Sequence, residues 1–213
     1  HVDCVWLYLG CLRAGAVYLP LNIAYTPAEV AYFIGDAEPA LMVCEPSGLT
    51  ALQAGLGEGS VRIETLDASG QGSLQGLAAT MPGDFKTVEA GPDDLAAILY
   101  TSGTTGRSKG AMITHENLRS NALSLVDIWR FAADDVLLHA LPIFHTHGLF
   151  VAINTVMLSG SSIIFLPKFD MDAVMNALPQ STTMMGVPTF YTRLLSDRRF
   201  DRAATKHIRL FVS

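Results

Sequence analysis

From Asp94 onward, short runs of apolar and β-branched residues alternate with stretches of helical apolar spacing. No other feature restricts the fold as much. The predicted strands are Leu95–Tyr100, Ala111–Thr114, Val136–Leu141, Ser162–Leu166, Thr182–Gly186 and Ile208–Val212. Between them fall predicted helices Asn117–Phe131, Gly148–Leu158, Asp172–Leu178 and Thr189–Leu195. Apolar strands separated by helices have to be covered on both faces, so the expected class is α/β, with mostly parallel sheets flanked by helices. Upstream, Val5–Ala14 has helical spacing, and Thr26-Pro27-Ala28-Glu29 reads as an N-cap followed by Pro at the first helical position. Ala40–Cys44 reads as a buried strand. Residues 45–92 carry the weakest signal; with Gly, Ser and Gln dense from Ser69 to Gly76, they read as surface loop around a strand at Val61–Leu66. There are no internal repeats.

Composition adds a second constraint. Half of the 213 residues are apolar and 16% are charged, where an ordinary soluble domain has about 25%. Such a chain either spans a membrane or has lost part of its covering. A spanning helix needs about 18 or more apolar residues in a row, and the best run, Gly148 to Ser162, is shorter and carries Asn154. No basic-then-apolar N-terminal segment is present. The missing-covering reading is therefore preferred. His1-Val2-Asp3-Cys4 opens within a helical pattern and Phe211-Val212-Ser213 stops within a strand pattern, so the chain is expected to be cut at both ends. A net charge of −6 with 14 scattered Lys and Arg argues against nucleic acid as a partner. The three cysteines, Cys4, Cys11 and Cys44, lack metal-ligand spacing and read as buried thiols of a reducing compartment, with the cytoplasm expected.

The segment Tyr100-Thr101-Ser102-Gly103-Thr104-Thr105-Gly106-Arg107-Ser108-Lys109-Gly110 points to chemistry. Its glycines let the backbone turn sharply and present N–H groups to an anion. Its hydroxyls can donate to phosphate oxygens, and Lys109 adds a positive charge. A flexible linker has a similar composition but rarely lies between two apolar strands. A Walker loop needs G-x-x-x-x-G-K-[ST]; here Ser108 precedes Lys109 and Gly110 follows it, so that motif fails on both sides.

At these residues the chain resembles the adenylate-forming superfamily of acyl-CoA synthetases, luciferases and peptide-synthetase adenylation domains. The superfamily's signature loop reads aromatic-T-S-G-[ST]-T-G-x-P-K-G, with Ser108 standing here in place of the usual Pro. Leu12 to Asn22, Thr114-His115-Glu116-Asn117-Leu118, Leu141-Pro142-Ile143-Phe144-His145-Thr146-His147-Gly148 and Arg209 to Ser213 extend the likeness along nearly the whole chain. The resemblance implies that residues 1–213 are part of a large N-terminal AMP-binding domain. The adenine turn, the Mg²⁺ ligand, the ribose-binding Asp and a small C-terminal domain would lie outside them. It further implies that Thr101, Ser102, Gly103, Thr104, Thr105, Gly106 and Lys109 bind ATP, with Mg²⁺ as cofactor and coenzyme A as co-substrate.

His145 and His147 stand two apart, as metal ligands can, but no third ligand lies nearby. A buried structural pair is a second reading. The resemblance implies a third, in which the histidines are catalytic and meet the substrate carboxylate; which of the two faces it stays open. His115 reads as ordering the turn after the loop. Arg193, in Gly186-Val187-Pro188-Thr189-Phe190-Tyr191-Thr192-Arg193, is either a surface charge or the cation that holds a second carboxylate. Lys168 reads as an exposed loop charge. Together with Leu166-Pro167-Lys168-Phe169-Asp170, these segments look most like malonyl-CoA synthetases, which implies malonate as the acid and Arg193 as substrate-binding. Another short or medium acid, or an inactive nucleotide-binding module, are the alternatives.

Overall fold

The computed structural model describes residues 1–56, 59–101 and 108–213. The chain divides into two compact units, one of residues 1–7 and 21–88, the other of residues 8–20 and 89–213. Helix α1 (Asp3–Ala14) runs from the first into the second.

In the first unit, α2 (Pro27–Ala37) begins at the expected cap. Thr26 accepts from the Glu29 N–H at 3.3 Å, and Glu29 accepts from the Thr26 N–H at 2.8 Å, so two end donors are satisfied reciprocally. Strand β1 (Leu41–Cys44) pairs in parallel with β2 (Arg62–Thr65). The expectation of a buried strand fails at β1. Leu41 is exposed and the next three residues are half-buried, because this sheet has two strands and only partial cover. The loop reading of residues 45–92 also fails, since α3 (Leu49–Leu56) and α4 (Ser73–Ala78) both form there. Neither buries a residue fully, but Leu49, Leu52 and Leu56 of α3 and Leu74 and Leu77 of α4 are half-buried, a helical apolar spacing that the loop reading missed.

In the second unit, β3 (Leu95–Thr101) and β4 (Lys109–Thr114) form an antiparallel pair, and Tyr18 bridges to Ala97. Helix α5 (His115–Trp129) starts at a second reciprocal cap, between Thr114 and Asn117. Four short strands follow: β5 (Val136–His139), β6 (Ser162–Phe165), β7 (Thr183–Met185) and β8 (Leu210–Val212). They build one parallel sheet in the order β6-β5-β7-β8. Between them lie a π-helix (His147–Ile153), α6 (Asn154–Ser159), α7 (Met171–Ala177) and α8 (Pro188–Leu195). Leu138 and Met184 face a core shared with α7 and α8, while Leu137 and Met185 face one shared with Phe131, Ala152 and Val156. The sheet is covered on both sides, and the α/β class read from the sequence is the class observed. Cys4, Cys11 and Cys44 are free but half-buried, not fully buried as expected.

Asp135 ties the base of this sheet together. Its buried carboxylate accepts from the Ala132 N–H at 2.9 Å, from the Thr182 hydroxyl at 2.7 Å and from both Nε and Nη2 of Arg209. Arg209 also donates to the carbonyls of Trp129 and Arg130, each at 3.0 Å, and so caps the end of α5. Burial alone pushes the Asp135 carboxyl up. The hydrogen bonds from Arg209, Thr182 and Ala132, with the Arg209 charge, more than offset this and leave it at about 2.

Gly148 allows a close crossing in the same unit. A Cβ there would lie 2.2 Å from the Pro142 carbonyl oxygen and 2.8 Å from its carbon. The start of the π-helix is thereby pressed onto the backbone that leaves β5.

Two outcomes follow for the isolated chain. The folded carboxyl of Asp135 lies below its unfolded value, so its stabilisation is present above about pH 4 and is lost as pH falls towards about 2. Arg209 is partly exposed, which weakens the pair by screening. Asp135→Asn should lower unfolding free energy at neutral pH by about 2 kcal/mol and flatten that acid limb in urea titrations. Gly148→Ala should lower it by about 1–3 kcal/mol through overpacking, at every pH.

Candidate active site

Ligands of open parallel sheets bind beyond the carboxyl ends of the strands. At that end β5 finishes in His139, β6 in Phe165, β7 in Met185 and β8 in Val212. The β7–α8 corner is fixed there by the Gly186 N–H, which donates to the Val212 carbonyl at 2.9 Å. Tyr191 Oη lies 2.5 Å from the same carbonyl, and burial pushes its phenol up to about 12.

After β5 the chain turns through Ala140–Thr146 into the π-helix. The His145 N–H donates to the Pro142 carbonyl at 3.3 Å, and the Leu149 N–H donates to the His145 carbonyl at 2.9 Å. His145 is exposed, with its ring 4.7 Å from that of Phe144. His147 is half-buried, and burial pushes its pKa down. The two are not a fully buried pair, and they differ in surroundings although only Thr146 separates them. A neutral His147 offers one N–H donor and one acceptor to a ligand.

The sequence reading passed over His139. It is fully buried at the last position of β5, stacked against Phe165 with 5.3 Å between ring centres. Neither ring nitrogen makes a full hydrogen bond among the described residues. Burial pushes its pKa down to about 4, the charge of His147 pushes the same way, and the nearby Leu141 backbone offsets only part. The signal was a single His closing the apolar run Val136-Leu137-Leu138, which carries no motif.

Of the phosphate-loop residues, Thr101 ends β3 and Lys109 opens β4 directly across from it, both exposed. Ser102, Gly103, Thr104, Thr105 and Gly106 lie outside the described residues. The hairpin therefore holds the two ends of the loop on adjacent strands. His115 opens α5, and its N–H donates to the Asp94 carbonyl at 3.0 Å, which orders the turn after β4.

Arg193 is exposed on α8, its guanidinium 4.6 Å above the Phe169 ring. Phe169 in turn stacks on Phe190 at 4.2 Å. Lys168 is exposed, and the neighbouring Asp170 caps α7 by accepting from the Ala173 N–H at 3.0 Å. No group of three His, Cys, Asp or Glu side chains among the described residues could hold a metal ion. No helix among them is long and apolar enough to cross a membrane.

The ATP-bound crystal structure of MatB from Rhodopseudomonas palustris superposes with a TM-score of 0.95, at 56% identity over 99% of this chain and 42% of that one. The mitochondrial malonate–CoA ligase ACSF3 of Xenopus laevis is 33% identical over 100% of this chain and 39% of its own length. The malonate–CoA ligase of Arabidopsis thaliana is 30% identical over 88% and 33%. The chain thus spans 33% to 39% of the length of these curated relatives. A model of the AMP-binding enzyme family matches residues 1–213, and the chain belongs to that family.

Proposed function

We propose that the chain is part of the large N-terminal domain of an AMP-forming acid–thiol ligase, with malonate as the acid. The observation that carries this reading is the likeness to MatB, at 56% identity over 99% of the chain in a structure that holds ATP. The malonate–CoA ligases of Xenopus laevis and Arabidopsis thaliana support the choice of acid. Adenine and ribose contacts, and a small C-terminal domain, belong in this reading to the rest of the protein. The three free thiols support a reducing compartment, the cytoplasm in the simplest case.

The reaction has two steps. A carboxylate oxygen of malonate attacks the α-phosphorus of ATP, and the bond to the bridging oxygen breaks to release pyrophosphate. The thiol of coenzyme A then attacks the acyl carbon, loses its proton, and displaces AMP. In the first step this chain's task is positioning and charge neutralisation. Thr101 to Gly106 and Lys109 hold the β- and γ-phosphates between β3 and β4. His147, the more buried of the pair, donates an N–H to the attacking carboxylate, and His145 lines its entrance. Arg193 holds the distal carboxylate. Mg²⁺ belongs to the resemblance, but the described residues supply no donor set for it, and no step here runs through it.

Acid-dependent ATP–pyrophosphate exchange in the full-length protein tests the reading. Malonate should support exchange and propionate should support it poorly. Lys109→Ala should lower kcat/KM about ten- to a hundredfold, as the loss of a hydrogen bond to a charged group does. Wild-type exchange in a Thr104→Ala, Lys109→Ala double variant would remove the loop from the phosphate site.

Arg193→Leu separates the acids. Kinetics with malonate should fall about ten- to a hundredfold while propionate is unchanged or improved. Equal losses on both acids would make the Arg193–Phe169 contact its whole purpose.

A further inference from the structure

On α8, Phe190 and Arg193 stand three residues apart and so share one face of the helix. Over that face lies Phe169, from the connection between β6 and α7. Its ring stacks on Phe190 with 4.2 Å between centres, and the Arg193 guanidinium lies 4.6 Å from its own centre. Both rings are half-buried against the core of Leu138, Val174 and Met184, while Arg193 is exposed.

The position of Phe169 is fixed by the start of α7. Asp170, its neighbour, caps that helix by accepting from the Ala173 N–H, which sets the direction in which the chain enters. Val174, the fourth residue of α7, belongs to the core that Phe169 packs against, as in a hydrophobic staple. The acidic groups beside the ring are engaged elsewhere. Asp170 holds the helix end, and Asp172 meets Nη1 of Arg199 at 2.7 Å, whose Nη2 meets Asp197 at the same distance. Arg193 forms no salt bridge among the described residues; the Phe169 ring is what holds its guanidinium.

A cation over an aromatic face is attracted by the ring quadrupole, and a guanidinium held in this way keeps its N–H fork for an anion. We propose that Phe169 is a positioning residue for Arg193: its ring, backed by Phe190, fixes the guanidinium so that the fork stays open to the distal carboxylate of the acid. Phe169 touches no reacting atom and acts on the preference for a dicarboxylate through Arg193. This rests on the reading of Arg193 as the group that holds the distal carboxylate, and the test separates the two.

The variants are Phe169→Leu, which keeps apolar bulk without the ring, Phe169→Tyr, which keeps the ring, Arg193→Leu, and the Phe169→Leu, Arg193→Leu double variant. Two readouts are taken on the full-length protein. One is ATP–pyrophosphate exchange with malonate and with propionate. The other is ¹⁵N relaxation of the Arg193 Nε, assigned by its loss in Arg193→Leu. In wild type this nitrogen should relax as an ordered group. In Phe169→Leu it should become mobile, with KM for malonate raised about three- to thirtyfold, kcat little changed and propionate unaffected. Phe169→Tyr should restore both the order and the KM. In the Arg193→Leu background, Phe169→Leu should add no further loss on malonate.

An unchanged Arg193 Nε in Phe169→Leu overturns the proposal whatever happens to the rate. Equal losses on both acids, or a fully additive loss in the double variant, make Phe169 a packing residue and overturn it too. If Phe169→Leu does not fold, Phe169→Met is read against the same outcomes. If wild type does not activate malonate, the proposed function falls, while the Nε comparison still decides whether Phe169 holds Arg193.

Discussion

The carboxylate of Asp135 is buried where β5 begins, and four donors converge on it from three parts of the chain. One comes from the turn before β5, one from the residue before β7, and two from the residue before β8. Arg209 extends the cluster to the last carbonyls of α5. The strands it joins are three and four residues long, too short to fix their own register by ladder bonds alone. A buried ion pair is a weak source of net stability, yet removing one partner leaves a buried charge uncompensated. Here it joins the starts of β5, β7 and β8. The apolar cores on the two faces then supply most of the free energy.

The opposite end of β5 has the contrary chemistry. A charge held firmly by four donors marks its start, and an uncharged ring without a full hydrogen bond marks its finish. Rigidity at one end allows the other to carry groups that do nothing for stability.

How far the sequence revealed this depended on whether a residue's role was local. The long elements were legible because each buries one face, as α5 does through Leu118 and Ala122. Its start was misread by two residues because a cap made by Thr114 and Asn117 outweighs propensity. Helices α3 and α4 bury their leucines only in part, and the Gly, Ser and Gln around them hid a short helical spacing. The π-helix read as part of a plain helix, since a wider turn leaves no period in so short a segment. Of the candidate site residues, Lys109 and the loop stand out in the sequence by composition and spacing, and the histidine pair by its motif. His139 was not visible, because its meaning depends on what surrounds it in space. The contact of Arg193 with Phe169 lies between separate elements and could not be read from either.

The crossing at Gly148 has a consequence for how such a site changes over time. Backbone contact, more than side-chain interlock, fixes the path from Pro142 to the π-helix. Leu141, Leu149 and Phe150 on either side are buried, while the residues at 142–147 are half-buried or exposed. The short arc from 143 to 146 therefore runs between two closely packed points. Its side chains can be exchanged without repacking either core, so under the proposed function selectivity for one acid over another can drift within a frame that stays the same.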